Sequence, residues 1–281
     1  MADRRSEPEK KPAGELATSP PGSAAAAALS SPVLSRAGFA HAFFTRRGGV
    51  SEGPFASLHF AVATGDTPEN VGENVARAAA RLGVEPERIL YLSQVHGAGV
   101  VEVTEANDRE TTLYQEGDAV VARAGQRVAC GVRSADCGTL LLGDARSGAV
   151  CAIHAGWRGT VRGVVRAGVM RLRQIAGAPV DIVAAIGPHI ERCCFEVGDD
   201  VAAELSACSS LGDAVVSDQA AGKAHVDLRA ILRAQLVEGG VADANIEDVR
   251  GCTVCDPERF FSCRRQGPKS GRHLSAIVPR G

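Results

Sequence analysis

Three side chains that bind soft metal ions occupy similar places in the sequence. His96, Cys137 and His154 each end or follow an apolar stretch of strand type, and small residues come next, as in His154-Ala155-Gly156. Strand ends open onto clefts, and a neighbouring glycine lets backbone and substrate approach closely. Two imidazoles and one thiolate suit Zn²⁺, with Cu²⁺ as the alternative, and three protein ligands leave one coordination position open, as in catalytic zinc sites. Because their spacing matches no short metal signature, two backbone-bonded histidines and a buried cysteine are the alternative interpretation.

Arginines beside glycines indicate an anionic ligand. Arg46 stands in the segment Thr-Arg-Arg-Gly-Gly at residues 45–49, and Arg264 precedes another arginine near the carboxyl end. Guanidinium groups match phosphate or carboxylate oxygens two at a time. The alternative is that these arginines are solvated surface residues.

Three carboxylates in apolar surroundings are candidates for general acid or base catalysis. Asp118, Asp136 and Glu196 have such neighbours, and burial raises the pKa of a carboxyl group. Asp136 is favoured because it directly precedes Cys137. Capping of a turn is the alternative role for its side chain.

The remaining paired cysteines predict no chemistry. Cys252 and Cys255 form a CxxC motif, but no second such pair or histidine pair follows at zinc-ribbon spacing. The adjacent Cys193 and Cys194 are typical of buried structure. We expect Cys252 and Cys255 to be packing residues or an incidental thiol pair, and Cys193 and Cys194 to be buried structure in preference to a redox pair.

Composition limits the partners and the compartment. The 281 residues carry a net charge of −2, so no global field attracts nucleic acid or an anionic membrane. No apolar run approaches the roughly 18 residues that cross a bilayer. Nine cysteines are an odd number, and without a secretory signal they predict a reducing, cytoplasmic location. The oligomeric state stays open.

Hydrophobic patterning predicts the elements that position these residues. Residues 1–34 combine charge, proline, serine and an alanine run, which is typical of a disordered tail, and residues 35–281 form one domain. Several strands occur in succession before a helix intervenes, which predicts an α+β layered sandwich and not a regular βαβ alternation. Predicted strands lie at residues 40–44, 89–95, 99–103, 119–122, 128–133, 139–144, 149–154, 182–186 and 215, and predicted helices at 68–82, 161–175, 199–205 and 228–239.

Taken in order, these segments resemble a known family. The resemblance covers nearly the whole chain after residue 34 and is carried by residues 44–55, Gln94-Val-His-Gly, Ala135-Asp-Cys, His154-Ala-Gly-Trp-Arg-Gly-Thr, Ile186-Gly-Pro, Cys194-Phe-Glu-Val, Cys252-Thr and residues 261–265. The chain is similar to the YfiH/YlmD family, also described as laccase-domain or polyphenol-oxidase-like proteins.

The resemblance implies a fold, a metal site and an activity. The fold is a single α/β/β/α layered domain with mixed sheets, and the zinc ligands are the matching His96, Cys137 and His154. The activity is phosphorolysis of adenosine, inosine and methylthioadenosine to the base and the phosphorylated sugar, together with adenosine deamination. Purine nucleoside and phosphate are then the partners, with Arg46 as the first candidate for binding phosphate and Arg264 as the second.

Three positions depart from the family's usual pattern, and three alternative functions remain open. His59, His189 and Cys263 replace the usual residues, and the last two are also considered as additional ligands. The alternatives are a hydrolase that edits peptidoglycan precursors, a copper-dependent polyphenol oxidase and a non-catalytic binding module. The copper oxidase is disfavoured because seven histidines, mostly scattered, hardly supply a mononuclear and a trinuclear copper site.

Overall fold

Two β-sheets face each other, and helices cover both outer faces. A computed structural model describes residues 25–220 and 222–281. The strands are β1 (Ala28–Leu29), β2 (His41–Phe44), β3 (Ile89–Leu90), β4 (Val100–Glu102), β5 (Ala119–Ala122), β6 (Ala129–Ser134), β7 (Gly138–Asp144), β8 (Val150–Ala155), β9 (Ile182–Ile186), β10 (Glu196–Gly198), β11 (Val216–Ala220), β12 (Lys223–Val226), β13 (Ile246–Asp248) and β14 (His273–Ile277). The helices are α1 (Pro32–Arg36), α2 (Pro68–Leu82), α3 (Arg109–Thr112), α4 (Trp157–Val161), α5 (Val164–Ala176), α6 (Asp199–Ala207), α7 (Leu228–Glu238) and α8 (Cys263–Gln266), with 3₁₀ turns at Gly53–Phe55, Val62–Thr64, Pro86–Arg88, Gly212–Val215 and Asp243–Asn245.

Both large sheets are mixed. One has five strands in the order β1-β2-β14-β6-β3, and the other has six in the order β13-β9-β7-β8-β5-β4. Pairs β3–β6, β4–β5 and β13–β9 are parallel, and the other pairs in these two sheets are antiparallel. A smaller sheet, β10-β12-β11, lies beside them. The predicted strands 139–144 and 149–154 form the antiparallel pair β7–β8.

Three apolar clusters define the layers. Phe43, Leu141 and Ala152 belong to the cluster between the two sheets, to which strands of both contribute. Helices α5 and α7 pack on the outer face of the six-stranded sheet through residues such as Val169 and Leu232. Helix α2 covers the five-stranded sheet with its buried stripe of Val71, Val75, Ala78, Ala79 and Leu82. The predicted α/β/β/α sandwich is therefore confirmed.

The amino-terminal boundary differs from the expectation of a tail through residue 34. Strand β1 pairs antiparallel with β2, and Leu29 and Leu34 are buried. Ser31 caps α1 by accepting the N–H of Leu34. A two-residue strand and a single helical turn are too short to show apolar periodicity, which is why the pattern misses them. Residues 1–24 of the predicted tail lie outside the described residues.

None of the described helices combines the length and the apolar character needed to span a membrane.

Candidate functional site

The three predicted metal ligands meet in space. His96 lies in the loop after β3, Cys137 directly precedes β7, and His154 lies in β8. Because Gly138 pairs with Ala155 across β7 and β8, Cys137 sits beside the end of β8 that carries His154. The ligand atoms of the three residues lie within 4.8 Å of one another, and Cys137 Sγ is 3.9 Å from His96 Nε2. Around a tetrahedral zinc ion a sulfur and a nitrogen ligand are about 3.6 Å apart, so the donor set fits one ion.

Asp118 orients two of these ligands at once. Its carboxylate accepts a hydrogen bond from Nδ1 of His154 at 2.8 Å and from the backbone N–H groups of His96 and Gly97 at 3.0 and 2.6 Å. Since a carboxylate only accepts, Nδ1 of His154 carries a proton and Nε2 is left for a metal. The sequence had placed Asp118 among the candidate acids and bases, whereas its contacts give it a positioning role.

Neighbouring side chains of the site shift one another's pKa values. Burial raises the pKa of Cys137, but the charge of His154 and the hydrogen bonds from both histidines outweigh burial and lower it to about 6. For His154, burial lowers the pKa, whereas the Cys137 thiolate and the hydrogen bond to Asp118 raise it to about 9. Burial also opposes ionisation of Asp118, but its hydrogen bonds from His154 and Gly97 lower its pKa. The metal-free site therefore holds a thiolate beside an imidazolium at neutral pH, and the thiolate is the form that binds metal.

The absence of a side chain at Gly156 allows His96 and Cys137 to approach each other closely. A Cβ on Gly156 would lie 2.9 Å from Cδ2 of His96 and 3.0 Å from Sγ of Cys137, so a larger residue displaces both ligands. His96 itself has a φ of 57° and Asp136 a φ of 99°. Non-glycine residues in this region are uncommon and cluster at functional sites.

The three ligands line a cavity of about 800 Å³. Trp157, Ile190, Phe195 and Leu228 give it an apolar part. Its size is that of a small-molecule pocket, and apolar walls with a few polar groups are the usual composition of such pockets.

Three guanidinium groups line the same cavity, from Arg133, Arg264 and Arg272. Within residues 25–220 and 222–281 none of them forms an ion pair. Backbone carbonyls hold them instead, for example Phe60 O for Arg133, Cys194 O for Arg264 and Ser270 O for Arg272. Sequence reasoning named Arg264 and missed Arg133, although a charged residue inside the apolar stretch 128–133 was a usable signal.

Arg46, the first candidate for phosphate binding, does not line the cavity. Its Nε donates to Ala56 O at 2.8 Å and its terminal nitrogen to Pro257 O at 2.9 Å, and its guanidinium lies 4.6 Å from the centre of the Phe261 ring. Arg133 has contacts of the same kind, with two backbone carbonyls and the Tyr91 ring, so Arg46 differs from it by lying outside the cavity lining. Arg46 therefore ties its own loop to residues 257–261, and its role in phosphate binding stays a prediction.

The other two candidate carboxylates differ in position. Asp136 borders the cavity, but one carboxylate oxygen accepts the Thr253 hydroxyl at 2.6 Å and the other accepts the backbone N–H of Arg264 at 2.7 Å. These contacts match the alternative of a structural, hydrogen-bonding role. Glu196 lies outside the cavity lining and pairs with Lys223 at 2.7 Å.

Of the three unusual positions, only Cys263 lines the cavity. His59 is fully buried, accepts the Arg272 N–H at Nδ1 and contacts Ala61 O through Nε2, so it supports the cavity wall from behind. His189 is buried beside Arg229, and burial together with the Arg229 charge lowers its pKa to about 4. Neither Cys263 nor His189 belongs to a cluster of possible metal ligands among the described residues.

The two cysteine pairs, expected to be packing residues, form one cluster. The sulfur atoms of Cys193, Cys194, Cys252 and Cys255 all lie within 4.8 Å of one another. Cys193 and Cys255 are exposed, so burial does not explain the pairs. The missed signal is that two cysteine pairs far apart in the chain each follow a strand of the same sheet.

The chain is similar to proteins of known name over most of its length. Residues 40–280 match the family described as multi-copper polyphenol oxidoreductase laccase. Adenosine deaminase RL5 from an unknown prokaryotic organism is 40% identical over 245 residues, which cover 84% of this chain and 92% of that protein. The purine nucleoside phosphorylase of Deinococcus radiodurans is 39% identical over 241 residues, covering 85% and 89%.

Solved structures agree with this relationship. YlmD from Geobacillus stearothermophilus matches with a TM-score of 0.83 and 31% identity over 92% of this chain and 97% of that one. The hypothetical protein YfiH from Bacillus licheniformis gives the same TM-score at 27% identity, covering 91% and 97%. The match over residues 40–280 shows that the chain belongs to the multi-copper polyphenol oxidoreductase laccase family, and the solved structures of YlmD and YfiH share its fold.

Proposed function

We propose that this protein is a zinc-dependent purine nucleoside phosphorylase that also deaminates adenosine. The observation that carries the proposal is the meeting, in one cavity, of a two-histidine, one-cysteine ligand set with three guanidinium groups that form no ion pair with any described residue. The names of two relatives, a purine nucleoside phosphorylase and an adenosine deaminase, support the same substrate class.

The cavity offers complementary surfaces to the two substrates. The apolar part formed by Trp157, Ile190, Phe195 and Leu228 suits the faces of a purine base. Arg133, Arg264 and Arg272 suit phosphate, because N–H forks of this kind bind its oxygens and no carboxylate of the described residues pairs with them. A zinc ion held by His96, Cys137 and His154 would supply Lewis-acid polarisation of the bound substrate.

Phosphorolysis places demands that these residues meet. A phosphate oxygen forms a bond to C1′ of the sugar while the bond from C1′ to the base nitrogen breaks, and the base leaves with that electron pair and gains a proton. The arginines hold phosphate in position for this attack, and the apolar wall excludes the water that would otherwise compete. Deamination instead replaces the amino group at C6 with the oxygen of water and releases ammonia, so it needs no phosphate.

The copper-oxidase alternative is disfavoured by where the histidines lie. In the described residues only two groups of possible metal ligands occur, and His96 and His154 are the only histidines in them. Oxidase chemistry of the laccase type needs several copper ions, each with its own ligands. The remaining five histidines are His41, His59, His189, His225 and His273.

The proposal is tested with purified, zinc-replete protein and adenosine or inosine, with and without phosphate. We expect phosphate-dependent release of base and ribose 1-phosphate, and phosphate-independent conversion of adenosine to inosine. Cys137→Ala should lower both rates at least about 10³-fold, since metal polarisation supplies several kcal/mol of transition-state stabilisation.

Cys208→Ser is the matched control, because Cys208 lies outside the cavity lining and both metal-ligand groups. Nucleosides left unchanged by metal-replete protein would overturn the proposal and favour the precursor-editing hydrolase. Base release that does not depend on phosphate would overturn the phosphorylase assignment alone.

A further inference from the structure

We propose that Cys193, Cys194, Cys252 and Cys255 bind a second zinc ion, as a structural site separate from the cavity. Four thiolates are a complete ligand set for tetrahedral zinc, and such closed sites are structural. The cluster shares no residue with the group of His96, Cys137 and His154.

The sulfur geometry fits a single ion. Cys193 Sγ lies 3.7 Å from Cys252 Sγ and 3.6 Å from Cys255 Sγ, and Cys194 Sγ lies 3.3 Å from Cys255 Sγ. With zinc–sulfur bonds of about 2.3 Å, the edges of a ZnS₄ tetrahedron are about 3.8 Å long. An iron–sulfur cluster binds its thiolates to different irons, so its cysteine sulfurs stand farther apart than the 4.8 Å limit observed for all pairs here.

The fold brings the two cysteine pairs together from distant parts of the chain. Strands β9 and β13 are parallel neighbours, so the loops that follow them leave the sheet at the same end. His189 and Cys252 form an isolated parallel bridge between these loops. The His189 N–H donates to Gly251 O and the Thr253 N–H to His189 O, each at 3.1 Å, and these bonds hold the two loops side by side.

The cluster joins segments that form one wall of the cavity. The segment after Cys194 contributes Phe195 to this wall, and Arg264 donates to Cys194 O at 3.2 Å. The 252–255 loop is tied to Asp136 through the Thr253 hydroxyl. A zinc ion here therefore fixes two loops against the cavity, and its binding releases the thiol protons to solvent.

The test measures zinc in the full chain purified under reducing, anaerobic conditions. We expect two equivalents per chain in the wild type, one for each ligand group. Cys137→Ala and the double variant Cys252→Ser/Cys255→Ser should each retain one, and the combination of all three substitutions should retain none. Cys208→Ser keeps both and controls for the loss of a thiol.

A second measurement does not depend on the folding of the double variant. Cobalt added to metal-free Cys137→Ala protein, in which the four cysteines are intact, should give the visible bands of tetrahedral cobalt and intense thiolate-to-cobalt charge transfer. Absence of these bands, or zinc-free Cys137→Ala protein, would overturn the site. So would disulfide bonds among the four cysteines in wild-type protein under these conditions, or iron in place of zinc.

Because metal content is measured in Cys137→Ala protein, the outcome is independent of whether the cavity processes nucleosides.

Discussion

The molecule gathers metal-binding side chains in two places that are built on different principles. At the cavity, His96, Cys137 and His154 give three mixed ligands, and His154 is buried. At the cysteine cluster, four like ligands stand at the surface, with Cys193 and Cys255 exposed. Three ligands leave a position for substrate, whereas four thiolates close the coordination sphere.

The surroundings differ as much as the ligands do. Asp118 fixes the His96 loop and the tautomer of His154, so the cavity site is organised before metal binds. At the cluster, the contacts act on the loops that carry the thiols: Arg264 donates to Cys194 O, and the Thr253 hydroxyl donates to Asp136. This difference indicates that the cavity site is built for reactivity and the cluster for holding loops.

The largest expected difference between the two sites is the rate at which their cysteines react with an alkylating reagent. In metal-free protein the pKa of Cys137 lies near 6, whereas burial and hydrogen bonding to Cys255 raise the pKa of Cys194 to about 11. At pH 7 Cys137 is mostly thiolate and Cys194 almost entirely thiol, so Cys137 should be alkylated about 10²-fold faster once its lower intrinsic nucleophilicity is included. Lowering the pH to about 5 protonates Cys137 and should slow its alkylation about tenfold. Residue-resolved mass spectrometry checks this, and equal rates would contradict the described charge pairing.

Asp118→Asn should separate the two sites. The amide keeps the size of the side chain but loses the negative charge that holds the proton on His154 Nδ1. Zinc affinity at the cavity and nucleoside turnover should each fall about 10- to 100-fold, as for other partners of metal-bound histidines. Zinc at the cysteine cluster should stay. Competition with a chelator measures both affinities, and unchanged affinity at the cavity would refute the positioning role of Asp118.

Arg264 contacts both regions, since it lines the cavity and donates to Cys194 O. Arg264→Ala should raise KM for phosphate about 10- to 100-fold, because a charged hydrogen bond contributes about 1.5–3 kcal/mol. The KM for nucleoside and the zinc content should change little. Initial rates at varied phosphate test this, and a variant that loses nucleoside binding to the same extent would argue against a phosphate-specific role.

Arg46→Ala is the matched arginine change away from the cavity and should have the smallest effect. Its guanidinium donates to Ala56 O and Pro257 O and lies over the Phe261 ring. Loss of these contacts should lower the free energy of unfolding by about 1–2 kcal/mol and leave the KM for phosphate unchanged. Denaturant unfolding and the same phosphate titration measure both quantities. A larger phosphate effect here than in Arg264→Ala would reverse the assignment of the two arginines.

Elements with strong local signals were predicted closely. Helix α2 spans the predicted residues 68–82, with Thr67 as its N-cap, and β5 and β9 have their predicted bounds. At the start of α7, close to the predicted residue 228, Asp227 caps the helix by accepting the Ala230 N–H. The predicted helix 161–175 is interrupted, because α4 ends at Val161 and Gly163, in the left-handed region, precedes α5.

Some elements escaped prediction because pairing with other strands, and not their own hydrophobic pattern, decides their structure. Strand β14 is central in its sheet, paired with β2 and β6 on either side, yet it was missed. The predicted strand 89–95 shrinks to Ile89–Leu90, since the chain then turns toward the site and reaches His96. Val215, predicted as a strand, ends a 3₁₀ turn before β11.

The sequence by itself determined the donor atoms and the local elements. Residue types, the glycines beside them and the apolar periodicity fixed His96, Cys137 and His154 as candidates and set the layered α+β class. Such patterns act over a few residues, where propensity and side-chain period decide the structure. They are silent about which distant residues meet.

Only the tertiary structure decided which distant residues share a site. Parallel pairing of β9 and β13 brought Cys193 and Cys194 to Cys252 and Cys255, and the sandwich placed Arg133 at the cavity while Arg46 faces Phe261. The physical reason is that strand pairing and sheet packing fix contacts between residues far apart in the chain. A side chain's partner across the fold depends on that register and not on its neighbours in sequence.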